Sequence, residues 1–124
     1  MNKEEIHFFG LRYVYRELLQ NDFKVLSVEP DLEIFPQIIA QKNEQLYFIV
    51  VQTDVYPLVG DLPSNFQIKQ IREHAAKHQA IVNFASVGIA NANAITEADK
   101  SKLIKGGAFF VNYSGLKELL RIEL

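Results

Sequence analysis

The side chains best suited to chemistry in this chain are carboxylates around one strand-like stretch and a pair of histidines. Asp31 precedes the stretch from 36 to 54 and Asp54 is its last residue, and carboxylate oxygens are ligands that Mg²⁺ prefers. His74 and His78 are four residues apart, a spacing that places both imidazoles on one face of a helix, where they could chelate a metal. The pair lacks the H-E-x-x-H arrangement and a third ligand, so we interpret both as surface residues.

Composition narrows the classes of function. The 124 residues include no cysteine, which excludes disulfides, thiolate zinc sites and cysteine nucleophiles. A net charge of -2 offers no general attraction for nucleic acid, whose phosphates favour basic surfaces. The N-terminus lacks the apolar core of a signal peptide, and no apolar run approaches the ~18–20 residues of a membrane helix. We therefore expect a cytoplasmic protein without membrane contact, and no motif predicts a cofactor.

Capping signals and apolar periodicity predict one α/β domain over residues 1–124. The element order is αβββαβαβα. The long helical connection between the third and fourth strands predicts that these two are parallel, with a right-handed crossover, within a mixed sheet flanked by helices on both faces. The predicted elements are a helix at 3–20, strands at 23–29, 37–40 and 46–51, a helix at 65–78, a strand at 80–90, a short helix from Thr96 to Lys105, a strand at 108–113 and a helix from Ser114 to Leu124.

The stretch from 36 to 54 is the most strand-like part of the chain and predicts a β-hairpin with a polar loop from Gln41 to Gln45. Its second strand is apolar at every position from Tyr47 to Val51, so we expect both faces to be covered in the middle of the sheet. The loop from Thr53 to Pro63 is unusually apolar and is expected to pack on its own domain or on a partner. In the next strand, Gly88 indicates a bulge or a close approach by another segment.

The hairpin resembles a stretch of the PD-(D/E)XK nucleases, the restriction-endonuclease-like superfamily, and especially the Holliday-junction-resolvase branch. The sequence PQIIA at 36–40 is similar to the pattern P-D-hydrophobic-hydrophobic-A of those proteins, and YFIVVQT at 47–53 is similar to Y-F-V-E-V-K-T. The resemblance covers about residues 3–90. It implies an αβββαβ nuclease-like core, to which this chain adds a C-terminal αβα extension.

The three catalytic positions implied by the resemblance are all substituted. Gln37 stands where the aspartate is expected, Val50 where the second acid is expected and Gln52 where the lysine is expected. Such a site needs carboxylates to hold a hard divalent cation and a lysine to favour the attacking water and the developing negative charge. A glutamine carbonyl is a weak neutral ligand and valine is none, so neither catalytic residues nor a metal are expected at these positions.

Three functions follow from this pattern. The first is a catalytically inactive nuclease-like domain that serves as an interaction or regulatory module, with another protein or with a second copy through the apolar loop or a sheet edge. The second is an active or nucleic-acid-binding relative with a relocated metal site at Asp31, Asp54 and a helix residue such as Lys69. The third is small-molecule binding in the cleft over Gln37 and Gln52, whose amides offer paired donors and acceptors.

Overall fold

The computed structural model of the protein describes residues 1–119 and has the predicted α/β architecture. No helix among these residues is both long enough and apolar enough to cross a lipid bilayer. In chain order the elements are α1 (Lys3–Gln20), β1 (Lys24–Val28), β2 (Ile38–Lys42), β3 (Gln45–Val55), α2 (Asn65–Lys77), β4 (Ile81–Asn91), the 3-10 helix η1 (Glu97–Ser101), β5 (Phe109–Tyr113) and β6 (Lys117–Glu118).

The strands form one mixed sheet in the order β1-β2-β3-β4-β5, with β6 also paired to β4. Strands β1, β2 and β3 are antiparallel neighbours, whereas β3 and β4 are parallel. Both β5 and β6 run antiparallel to β4. The parallel pairing predicted for the third and fourth strands is therefore confirmed.

The central position of β3 explains its apolar sequence. Ile49 and Val51 pack in the core on the α1 face, while Phe48 and Val50 pack in a second core on the α2 face. All four side chains are at most 2% exposed. Burial of each contributes about 1.5–3 kcal/mol, so this one strand anchors both layers of the domain.

Helix α1 begins at the capping box that the sequence predicts. The Asn2 side chain accepts a hydrogen bond from the Glu5 N–H at 2.8 Å, and the Glu5 carboxylate accepts from the Asn2 N–H at 3.0 Å. Leu11, Val14 and Leu18 recur at helical spacing and form the buried stripe that packs on the sheet. These contacts fix α1 across one face of the sheet.

Helix α2 covers part of the opposite face and also begins at a capping box. The Ser64 side chain accepts a hydrogen bond from the Gln67 N–H at 3.2 Å, and the Gln67 carboxamide accepts from the Ser64 N–H at 3.1 Å. Ile71 and Ala75 are the buried residues of the helix and pack in the second core. The predicted layers of helices on both faces are confirmed.

The hairpin turn is tighter than predicted. Asn43 and Glu44 are the two turn residues, with φ of 50° and 68°, so the strands continue to Lys42 and from Gln45. Positive φ at both central residues is the geometry whose twist matches that of the flanking strands. At its other end β3 extends through Val55, which takes in residues predicted to begin the loop.

The predicted C-terminal αβα extension is wrong. The helix predicted from Thr96 to Lys105 is a 3-10 helix that ends at Ser101, and the chain returns after Ser114 as strand β6. The Leu119 N–H donates to the Val82 carbonyl at 2.8 Å. The segment after Ser114, predicted to be a helix, therefore pairs with the backbone edge of β4. Residues 120–124 of that predicted helix lie outside the described residues.

Candidate functional site

Gln37, the first of the three positions that the resemblance predicts to be catalytic, is a buried amide with two backbone partners. Its side chain is 0% exposed. The Nε2 group donates to the Ile34 carbonyl at 3.0 Å, and Oε1 accepts from the Val51 N–H at 2.8 Å. The backbone register between β2 and β3 ends at Ile38 opposite Ile49, so the amide extends the link to β3 beyond that point. Gln37 therefore joins the loop before β2 to the central strand.

The backbone of Gln37 adds a third link. Its carbonyl accepts a hydrogen bond from the Glu29 N–H at 2.6 Å, which ties the end of β1 to the start of β2. With both atoms of the carboxamide and the carbonyl engaged inside the protein, this residue presents no polar group to a cleft. Buried polar groups are stable only when hydrogen-bonded in this way.

Val50 and Gln52 lie on the α2 face of β3. Val50 is 0% exposed and belongs to the α2-side core, together with Phe48 and Ile71. Gln52 is partly buried and pairs in register with Ser86 on β4. The structure thus places both side chains on one face, with the inner one in the core and the outer one nearer the surface.

The apolar loop covers the end of this face. A Cβ atom at Gly60 would lie 1.8 Å from the backbone oxygen of Gln52, so only glycine permits the observed approach. The Gly60 carbonyl accepts from the Ser86 hydroxyl at 2.5 Å, and the Gly60 N–H donates to the Val87 carbonyl at 3.1 Å. The loop therefore packs on its own domain, directly over the backbone of Gln52.

Gly88 provides the matching approach on β4. A Cβ atom there would lie 2.7 Å from Cγ1 of Val59 and 3.1 Å from the Leu58 carbonyl. The register with β3 passes through Gly88 without a shift, so a close approach explains this glycine and a bulge does not. Gly60 and Gly88 together let the loop rest on the strands without intervening side chains.

The carboxylates proposed for a relocated site lie in different surroundings. The Asp54 carboxylate bonds to the adjacent residue of its own strand, since its Oδ1 accepts from the Val55 N–H at 2.7 Å. Asp31 makes an Asx turn, accepting from the Glu33 N–H at 2.9 Å. Lys69 is exposed on α2. Asp31 also lines a groove beside the start of α1, and neither Asp54 nor Lys69 contributes to that lining.

The groove beside α1 has a volume of about 720 Å³ and mixes apolar and charged side chains of both signs. Across it, Lys105 pairs with Glu5 at 3.3 Å, and Arg12 lies 5.8 Å from the ring centre of Phe8. Within residues 1–119, no three histidine, aspartate or glutamate side chains lie close enough together to hold a metal ion. The groove includes neither Gln37 nor Gln52.

His74 of α2 and His78, the C-cap of this helix, pack on an aromatic residue. The ring centres of His74 and His78 lie 5.2 Å and 5.9 Å from that of Phe48, and 5.2 Å from each other. Both histidines are exposed, which agrees with their interpretation as surface residues. Together they cover Phe48, which is 2% exposed.

Sequence reasoning missed two buried polar atoms, one on α1 and one on β3. Nε2 of His7 and Oγ1 of Thr53 are buried side-chain atoms without a hydrogen-bond partner among the described residues. Burial lowers the pKa of His7, and the charge of Asp31 opposes part of that effect. Gly10 follows His7 by three residues on α1, and a Cβ atom there would lie 1.8 Å from Thr53 Oγ1. No local motif indicates this arrangement, because it depends on how α1 crosses the sheet.

Comparison with known proteins places the chain in a family. A search of characterised proteins finds no match to the sequence. The model of a family described as a domain of unknown function, DUF8840, matches residues 4–119. That match spans α1 to β6, which is the whole of the sheet and both of its helical layers. The chain therefore belongs to the DUF8840 family.

Proposed function

We propose that this protein is a catalytically inactive, nuclease-like domain of the PD-(D/E)XK type that acts as an interaction or regulatory module. The elements α1 to β4 follow each other in the order expected of the restriction-endonuclease-like core. The sequences PQIIA and YFIVVQT fall on paired strands of one hairpin, with Ile38 opposite Ile49. This agreement of order, pairing and apolar frame supports the resemblance.

The bonding of Gln37 is the observation that carries the proposal. An active-site residue of a metal nuclease must direct an oxygen toward the cation, whereas both ends of this amide bond the backbone. Val50 is 0% exposed, and the loop at Gly60 lies over Gln52. The three positions therefore stabilise the hairpin and its loop, and they leave no anionic ligand for Mg²⁺, which dehydrates reluctantly.

Exposed apolar side chains support the second half of the proposal. Leu58, Leu62 and Phe66 are 60%, 48% and 68% exposed, and all belong to the loop over the former catalytic face or to the start of α2. Exposed apolar surface of this kind is typical of sites that bind proteins. The net charge of -2 does not favour nucleic acid as the partner. We place this activity in the cytoplasm, where a cysteine-free chain is at no disadvantage.

A cleavage assay tests the proposal. The purified protein is incubated with branched, duplex and single-stranded DNA in Mg²⁺ or Mn²⁺, and we expect neither cleavage nor salt-dependent binding. The double variant Asp31→Asn/Asp54→Asn is the control, because trace cleavage that persists in it comes from a contaminating nuclease. Metal-dependent cleavage by the wild type that disappears in the variant would replace the proposal with the relocated metal site.

A further inference from the structure

We infer that the free edge of β5 binds a second copy of this chain, so that two sheets join across a two-fold axis. This inference rests on the proposed function, since it names the partner of the interaction module. The two edges of the sheet differ in how well they are protected against pairing with another chain. Within residues 1–119, β1 pairs only with β2 at one edge, and β5 pairs only with β4 at the other.

The edge at β1 is protected against pairing with another chain. Its register against β2 shifts between Val25 and Ser27, which places Leu26 in a bulge. Lys24 puts a charge at its start. Bulges and lysines are two of the devices by which edge strands avoid association.

The edge at β5 has none of these devices. Its sequence, FFVNY, contains no charge, proline or glycine, and its five residues pair with β4 without a shift in register. A regular, uncharged edge with unpaired backbone groups is a template for another strand. In a monomer such an edge is an association hazard, whereas a closed two-fold pairing satisfies it.

Exposed apolar side chains of β5 and of the loop lie on the same, α2 face of the sheet. Phe110 is 68% exposed and pairs with Ala90, two positions from Gly88, on which Leu58 and Val59 rest. Neighbours at such diagonal positions in a sheet are within reach of aromatic side chains. Asn112 pairs directly with Gly88, so Phe110 and the loop lie on either side of this polar residue on one face of the sheet.

The β5 sequence suits pairing with itself. In an antiparallel pair centred on Val111, that residue lies opposite its own copy, and Phe110 lies opposite Asn112 of the partner. No charged side chain of β5 then faces a like charge, and the two copies of Phe110 become diagonal neighbours on one face. A second copy can therefore pair with the β5 edge through the wild-type sequence alone.

The area sets the strength of the dimer. The exposed parts of Phe110, Leu58 and Val59 amount to roughly 300 Å². A stable interface buries about 800 Å² on each partner. The backbone pairing and this apolar surface together form a smaller interface, of the size found in weak complexes. We therefore expect a reversible dimer with a dissociation constant in the micromolar range.

Sedimentation equilibrium of the full chain over a concentration series from micromolar to millimolar tests this inference. We expect the wild type to dimerise and Phe110→Asp to raise the dissociation constant by at least about tenfold, because like charges then meet across the axis. Asn112→Lys, on the same exposed face, is a second variant with the same expected result. Ile104→Asp is the matched control, since Ile104 is 65% exposed but lies outside β5, and it should dimerise as the wild type does.

Each outcome of this experiment has one meaning. A wild type that stays monomeric up to millimolar concentration overturns the inference while leaving a non-cleaving nuclease-like domain intact. A dimer that tolerates both Phe110→Asp and Asn112→Lys overturns the assignment to β5. Metal-dependent DNA cleavage in the separate assay would instead remove the proposed function and would leave the measured dimer in place.

Discussion

Replacing Gln37 by leucine removes both side-chain hydrogen bonds while keeping a side chain of similar length in a fully buried position. The Val51 N–H is then buried without an acceptor, which costs about 1–3 kcal/mol. The Ile34 carbonyl loses its donor but is only partly buried, so its contribution is smaller. We expect Gln37→Leu to lower the free energy of unfolding by about 2 kcal/mol, or roughly 8 °C in melting temperature for a domain of this size.

Gln37→Glu should make the free energy of unfolding depend on pH. One carboxylate oxygen would face the Ile34 carbonyl in place of the donating amide, and burial would disfavour the charged form. The folded-state pKa of this glutamate then lies above its unfolded value of about 4.3. The loss of stability is present at neutral pH, shrinks as the pH falls below the folded-state pKa and is gone near the unfolded value, because the protonated acid can donate as the amide does.

Urea unfolding followed by circular dichroism measures both variants. Gln70→Leu serves as the control, since Gln70 is exposed on α2 and its substitution should change the free energy of unfolding by less than about 0.5 kcal/mol. The structural role of Gln37 is refuted if Gln37→Leu is as stable as this control. A Gln37→Glu variant whose deficit does not shrink between pH 7 and pH 4 would contradict the bonding to Ile34.

Three further predictions concern the loop and the two buried polar residues His7 and Thr53. Gly60→Ala should displace the loop from the Gln52 backbone and cost about 1–3 kcal/mol in urea unfolding; Gly106→Ala, where φ is 82° but nothing lies within 4 Å, should cost about 1 kcal/mol. Because burial lowers the pKa of His7 below 6.5, wild-type stability should fall below that pH by up to about 1.4 kcal/mol per unit, and His7→Met should lose this dependence. Gly10→Ala should destabilise the domain although alanine favours helices, because the added Cβ would clash with Thr53. Thr53→Ala should restore part of this loss in the double variant. Additive effects of the two substitutions would contradict the close approach of Gly10 to Thr53.

Local signals predicted α1 and the central strand well. Asn2 and Glu5 are capping-box partners three residues apart. The apolar run through Val51 can be assigned to a strand from its periodicity and its length alone. The tight turn at Asn43 and Glu44 was harder, because it lacks the glycine that usually marks two positive φ angles. Where a signal is contained within a few residues, the sequence indicates the structure.

Features that depend on distant residues could not be predicted in this way. Ser114 resembles a helix cap, yet the free edge of β4 at Asn83 and Phe84 pairs with residues 117 and 118. The burial of Gln37 depends on Val51, fourteen residues along the chain, and no periodicity distinguishes a bonded amide from an exposed one. The resemblance predicts catalytic positions at Gln37, Val50 and Gln52, and the contacts of these residues indicate a structural role.

A titration of Mn²⁺ followed by electron paramagnetic resonance tests most directly the proposal that this domain holds no catalytic metal, since the signal of the free ion falls when the ion binds. The account predicts that the signal of added Mn²⁺ in the presence of the protein matches that of buffer alone. Saturable binding of one ion for each chain, lost in Asp31→Asn or in Asp54→Asn, would contradict it and would place a metal centre beside the hairpin.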